Sequence, residues 1–189
     1  MATDNTWEQQ WAARLAALQA VFGPADDQVF HATVPFEFGT DAGGAADVVR
    51  FRRWCDGVLY VTADLIGCDG QIATSLGPYE LAIAHRTDTQ WGANLISRLA
   101  HYTLEAALEP DETMSIDGAV PEGSAVSALL FTRVADLEVQ GVSAGVLLCV
   151  GITGVELGYA HEHEPGSLLA RLKEAGVYPF TDLSRESVI

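Results

Sequence analysis

The longest uninterrupted apolar stretch, Gly145 to Ile152, carries no charge. It is far shorter than the roughly 20 residues a membrane-spanning helix needs, so it reads as a strand buried on both faces. Thr153-Gly154-Val155-Glu156 follows with the S/T-x-x-E form of a capping box, in which hydroxyl and carboxylate satisfy opposite backbone donors at a helix start. A second helix is expected after it, capped by Ser167, with Leu168, Leu169 and Leu172 on one side and a stop at Gly176. Upstream, Trp7, Trp11, Leu15, Leu18 and Phe22 fall on one arc of a helix that Gly23-Pro24 ends, and Thr6 and Gln9 form a candidate capping pair at its start.

Between these ends the period shortens to two. Val29 to Phe38 and Asp47 to Arg53 read as strands separated by the glycine-rich loop 39–46, with Pro35 arguing for an edge position. Leu59, Val61, Ala63 and Leu65 form an apolar face, from which Tyr60, Thr62 and Asp64 point away. Tyr79 to Arg86 repeats the pattern, with Leu81 and Ile83 on one face and Glu80 opposite. A helix from Trp91 turns Trp91, Leu95, Leu99, Tyr102 and Ala106 inward, and Asn94, Arg98, His101 and Glu105 outward. Residues 109–124 hold five acids, two prolines and two glycines, and are expected to be a mobile or partner-facing loop. No linker divides the 189 residues, so a single α+β domain over 1–189 is expected.

Several of these segments, taken in order, resemble the Suppressor of fused (SUFU-like) domain. They are DGVLYVTADLIG from Asp56, GPYELAIAHR from Gly77, WGANLISRLAHYTLEAAL from Trp91, SALLFTRV from Ser127, and the tail LLxxLKxAGVYPFTDLxRxSV. The resemblance is strongest over 47–189 and implies a mixed, largely antiparallel sheet. Its apolar face would be covered by helices at 7–22, 91–108 and 167–175, with Gly145 to Ile152 central. It also implies a protein-binding domain rather than an enzyme. Animal members are longer and restrain a transcription factor; bacterial members are proposed immunity proteins of toxin systems, the nearer analogy for a chain of this length.

On that resemblance the binding candidates are Tyr60, Asp64, Asp69, Tyr79 and Glu80. Asp64 sits in ADLIG, which matches an SDL-type motif, and Glu80 in YELAI, which matches FEL; both carboxylates are expected to face a partner. An ordinary wet strand face is the plainer account of the same residues. Arg50, Arg52 and Arg53 are the one basic cluster, with edge protection or pairing to surplus acids as its simplest role.

Charge narrows the partner. With 26 acids against 10 bases, a net charge of −16 opposes nucleic acid and anionic membranes and favours a basic protein, such as a toxin domain. Three cysteines, Cys55, Cys68 and Cys149, cannot all pair and fit a reducing cytoplasm, and the N-terminus lacks the basic and apolar regions of a signal peptide. Neither a nucleophile elbow, a phosphate loop nor a CxxC pair occurs, and no cofactor is expected. His161-Glu162-His163-Glu164 is the one metal-like cluster, but residues two apart on a helix do not share a face, so no metal is expected there. Cys68, His85 and Asp64 form a nominal nucleophile set that no spacing rule supports. A regulatory scaffold holding an extended segment of a host protein, and a metal-dependent enzyme, are the alternatives to immunity.

Overall fold

The apolar run at Gly145–Ile152 is the middle of the molecule. In the computed structural model, which describes residues 3–189, it forms most of strand β6 (Val142–Thr153). The remaining strands are β1 (Val48–Phe51), β2 (Val58–Thr62), β3 (Tyr79–His85), β4 (Thr113–Ser115) and β5 (Val126–Val139). Their order across the sheet is β1-β2-β3-β6-β5-β4, so β6 is paired on both sides as expected. β3 and β6 run parallel and the other neighbours antiparallel, which gives the mixed, largely antiparallel α+β sheet.

Among the described residues, four α-helices complete the fold: α1 (Thr3–Phe22), α2 (Gln90–Leu99), α3 (Gly154–Glu162) and α4 (Ser167–Glu174). They cover both faces of the sheet, not one. Leu59, Val61, Ala82, Ala84, Val146 and Leu148 pack with Leu18 and Phe22 of α1 and Leu168 and Leu172 of α4. The alternate residues of the same strands, among them Val58, Tyr60, Leu81, Ile83, Leu147 and Cys149, pack with Ala93 and Ile96 of α2. Because side chains alternate along a strand, strands apolar at both parities need cover on both sides. The wet face expected for Tyr60, Thr62 and Glu80 is therefore absent, and all three are fully buried.

Other expectations shift for local reasons. Val29 to Phe38 is not a strand; it makes single bridges, Phe30 to Val48 and Pro35 to Ala45, then a 3₁₀ turn at Phe36–Phe38. Pro35 lacks the N–H a continuing ladder would require. Past Leu99 the helix tightens to 3₁₀ geometry over Ala100–Leu104. The shorter turn rotates the expected faces: His101 is buried and Tyr102 exposed. Within 109–124, β4 pairs with β5, so part of the expected loop is an edge strand. The capping pair at Thr6 and Gln9 rests on a Thr6 side chain outside the described residues, and α1 itself starts upstream, at Thr3.

The chain's end is fixed by one carboxylate. Thr153 and Glu156 form the expected capping box at the start of α3. Glu156 is fully buried and also accepts two guanidinium hydrogen bonds from Arg185, at 2.6 and 2.5 Å, and the Val188 N–H at 2.9 Å. Burial pushes its pKa up, but Arg185 and the Thr153 and Val188 N–H groups outweigh that and hold it below its ordinary value. α4 begins at Ser167 with Gly166, not Ser167, as the cap. It ends in a Schellman turn: Val177 N–H bonds to Leu172 O and Gly176 N–H to Lys173 O, with Gly176 at a φ of 66°. Replacing Glu156 by Ala should cost about 3–5 kcal/mol, because it strands the buried Arg185 charge and two backbone donors. Urea titration measures this; a change within about 0.5 kcal/mol, the range of ordinary surface substitutions, would remove Glu156 as the anchor of the tail.

Candidate functional site

Where β2 ends at Thr62, the chain turns through residues 63–69 and leaves the sheet. Leu65, expected beside Leu59, swings into the opposite core. What holds the turn is Glu80 on β3. The N–H groups of Leu65 and Ile66 donate to its Oε1 at 3.0 and 2.9 Å, and the Thr62 hydroxyl donates to Oε2 at 2.6 Å. The Leu81 N–H in turn donates to Thr62 Oγ1 at 2.9 Å. Burial is the largest influence on Glu80 and pushes its pKa up to about 7, against the hydrogen bonds and the nearby Arg14 that pull it down. Glu80 therefore does not face a partner. It is a strut behind the surface.

That surface is a cleft of about 950 Å³ between the first half of α1, the 31–36 segment and the 63–69 turn. Asp47, Asp64 and Asp69 line it together with Trp7, Arg14, His31, Phe36 and Cys68. Asp64 accepts the Asp47 N–H at 2.7 Å and stands 3.9 Å from the Arg14 guanidinium. Its side chain keeps 16% of its exposure, and burial pushes its pKa up. Asp47 accepts the Ala32 N–H at 2.9 Å and lies 2.6 Å from His31 Nδ1, so its carboxylate ties the 31–32 backbone to β1. Asp69 is exposed, and among the described residues its carboxylate has no hydrogen-bond partner. Arg14 is buried, donates to Ile66 O at 3.0 Å and, among the described residues, has no partner for its Nε. A smaller apolar cavity of about 160 Å³, lined by Ile66, Pro78, Val139 and Val142, shares Gln10, Arg14 and Gly67 with the cleft.

Of the five candidates, the cleft brings together Asp64 and Asp69 alone. Tyr60 is buried, with its ring edge-on to Phe30 and its hydroxyl donating to Asp88. Asp88 also binds Arg50 and Arg52, at 2.9 and 2.5 Å, and Asp26 binds the same two arginines at 2.5 and 2.9 Å, so two of the three clustered arginines pair with acids at the β1 edge. Tyr79 is buried too; its hydroxyl accepts the Leu108 N–H at 3.2 Å, and the Gln71 amide brackets its backbone. Sequence reasoning missed Arg14 and Asp47. A signal for Arg14 exists: it stands three residues after Trp11 and four before Leu18, inside the apolar arc of α1. Asp47 carried none beyond its place at a strand start.

The catalytic and metal candidates disperse. The Cys68 thiol donates to Asp69 O, and burial pushes its pKa up, away from thiolate. His85 is buried against Thr181 O, at 2.8 Å, and bonds to neither Cys68 nor Asp64. His161 meets Thr113 Oγ1 at 3.2 Å, whereas His163 stacks on Tyr159. Among the described residues no three His, Cys, Asp or Glu side chains are placed to hold a metal ion.

The sequence model of the Suppressor of fused protein (SUFU) matches residues 47–186, about three-quarters of the chain. The chain belongs to the SUFU family. A SUFU homolog from Neisseria gonorrhoeae has a similar structure, with a TM-score of 0.64 and 19% identity over 96% of this chain and 98% of that one. The Sufu–Fu complex gives a TM-score of 0.74 at 14% identity over 95% and 92%. Drosophila Suppressor of Fused gives 0.55 at 16% identity over 70% of this chain, spanning 39% of that protein. At these identities the likeness is one of fold. No curated protein sequence matches the chain.

Glu80 makes the site testable by pH. Its folded-state pKa lies above its ordinary 4.5, so its contribution to stability is full below 4.5 and is lost as pH rises to about 7. Glu80→Gln keeps an acceptor for Leu65 and Ile66 without the charge. The gap in melting temperature between this SUFU variant and wild type should widen in the variant's favour from about pH 5 to about pH 7.5. A constant gap would contradict the assignment. Glu80→Ala should cost about 2–4 kcal/mol near pH 5, because two buried N–H groups lose their acceptor, and less near pH 7.5, where the wild type has lost part of what Glu80 contributes.

Proposed function

We propose that this SUFU-family chain is a non-catalytic protein-binding domain that takes a basic segment of its partner into the Asp47–Asp64–Asp69 cleft, and that it serves in the cytoplasm as an immunity protein against a toxin domain. The observation that carries the reading is the cleft itself: three aspartates converge on about 950 Å³, and Arg14 is the one permanently charged cation among its lining residues. A half-buried, under-compensated Asp64 and an unpaired Asp69 are chemistry a basic segment would complete. Arg14 is already engaged with Ile66 O and Asp64.

The overall charge acts in the same direction. A protein at −16 attracts a basic partner over a distance set by salt, with encounter rates raised about ten- to a thousandfold, and repels nucleic acid and anionic lipid. Among the described residues no helix is long and apolar enough to cross a membrane. Sequestration of a host regulator is the second reading, favoured by the structural likeness to Sufu in a complex with Fu. Both readings use the same cleft and differ in the partner's identity. Co-expression with the product of the neighbouring gene separates them: restored growth of cells poisoned by that product supports immunity, and a non-toxic neighbour removes it.

Asp64→Asn and Asp69→Asn should each weaken the bound partner by about 2–5 kcal/mol where the contact is desolvated. Association should slow as salt rises from about 50 mM to about 500 mM, as screening shortens the reach of the charge. Calorimetry and stopped-flow fluorescence read the two effects. Unchanged affinity in both variants would move the site off this cleft.

A further inference from the structure

Trp7 is an anomaly of the core-facing arc. It is 48% exposed, yet it stacks on Trp11 one turn later, with ring centroids 5.8 Å apart and planes 14° apart. Trp11 in turn leans on His31 at 6.5 Å, and His31 is fixed by Asp47. An indole face is thus held at the cleft wall by a chain of contacts that ends in one of the cleft's own carboxylates. Trp7, His31, Asp47, Asp64 and Asp69 all line the same cleft.

We propose that this rim selects arginine over lysine, with the partner's guanidinium lying on the exposed face of Trp7 while Asp69 and Asp64 accept its N–H groups. The inference rests on the reading of the cleft as the partner-binding site and specifies what enters it. A guanidinium is planar, weakly hydrated and forked, so it stacks on an indole and donates to carboxylates at once. A lysine ammonium is a compact, strongly hydrated charge that gains little from a flat ring. A purely aliphatic occupant would bury Asp64 further without a counter-charge, and an acidic one would meet the −16 field. An aromatic plane beside the exposed Asp69 and the half-buried Asp64, with a net negative charge behind it, fits the guanidinium best.

The test uses the full chain and three acetylated hexapeptides alternating glycine with arginine, lysine or citrulline, titrated by calorimetry at low salt. The arginine peptide should bind about three- to tenfold more tightly than the lysine peptide, and citrulline should not bind detectably. Indole N–H resonances of Trp7 and Trp11 should move on binding, while those of Trp54 and Trp91, outside the cleft, stay in place. Trp7→Ala should lower arginine affinity to the lysine level, and Trp7→Phe should restore part of the difference. Thermal melts confirm folding of each variant, since Trp7 is half in solvent. Equal affinities for arginine and lysine in wild type, a preference that survives Trp7→Ala, or no binding of either peptide overturns the proposal. If the arginine preference alone disappears while Asp64→Asn and Asp69→Asn still weaken both peptides, the cleft stands and only its selectivity falls. If those two variants change nothing, the cleft reading itself is wrong.

Discussion

Helices on both faces leave the polar residues of β2, β3 and the middle of β6 nowhere to meet water. That constraint shapes everything else in this SUFU domain. β2, β3 and β6 send alternate side chains into two apolar cores, so their polar residues must be satisfied internally. Tyr60 reaches Asp88, Tyr79 reaches the Leu108 N–H, and Glu80 gathers the donors of the 63–66 turn. Half-buried and exposed carboxylates collect instead where strands stop. The cleft forms there, between the end of β2, the start of β1 and the first turns of α1.

The same constraint explains what could be read in the sequence. β6 was legible because a chargeless apolar run of that length has few other fates, and the Thr153–Glu156 box was legible because its two residues satisfy each other locally. The Schellman stop at Gly176 was local as well. Tyr60, Tyr79 and Glu80 were misplaced because alternation in a sequence does not say whether the polar parity faces water or a second layer of helices. For Tyr60 and Tyr79 that depends on α2 and for Glu80 on α1, each in another part of the chain. Arg14 and Asp47 were missed for a related reason: their importance comes from meeting Asp64 across 50 and 17 residues of sequence. Asp64 and Asp69 were singled out through the family resemblance and both line the cleft, whereas from spacing alone a Gly-flanked pair of aspartates is an ordinary turn.

Electrostatically, the site holds more acid than base. Arg14, buried on α1, faces the half-buried Asp64 at 3.9 Å and bears on the buried Glu80 behind it, so one guanidinium serves two carboxyls. Both are pushed up by burial, which means the single cation does not fully compensate them. The Glu156–Arg185 pair is the contrast: four donors converge on that carboxylate and hold its pKa down, and it serves only to fix the chain's end. The cleft carboxyls are thus under-compensated and the Glu156 carboxylate saturated, and on the proposed function the former leave room for a partner's charge.

The central claim is that a partner protein enters the cleft between α1 and the 63–69 turn. Hydrogen–deuterium exchange of the chain with and without its bound partner tests this most directly, because it reads every backbone amide at once. The account predicts new protection confined to residues 7–14, 31–36 and 63–69, with the β4 edge and the 116–124 loop unchanged. Protection at β4 and that loop, with the cleft amides exchanging as they do in the free protein, would contradict it.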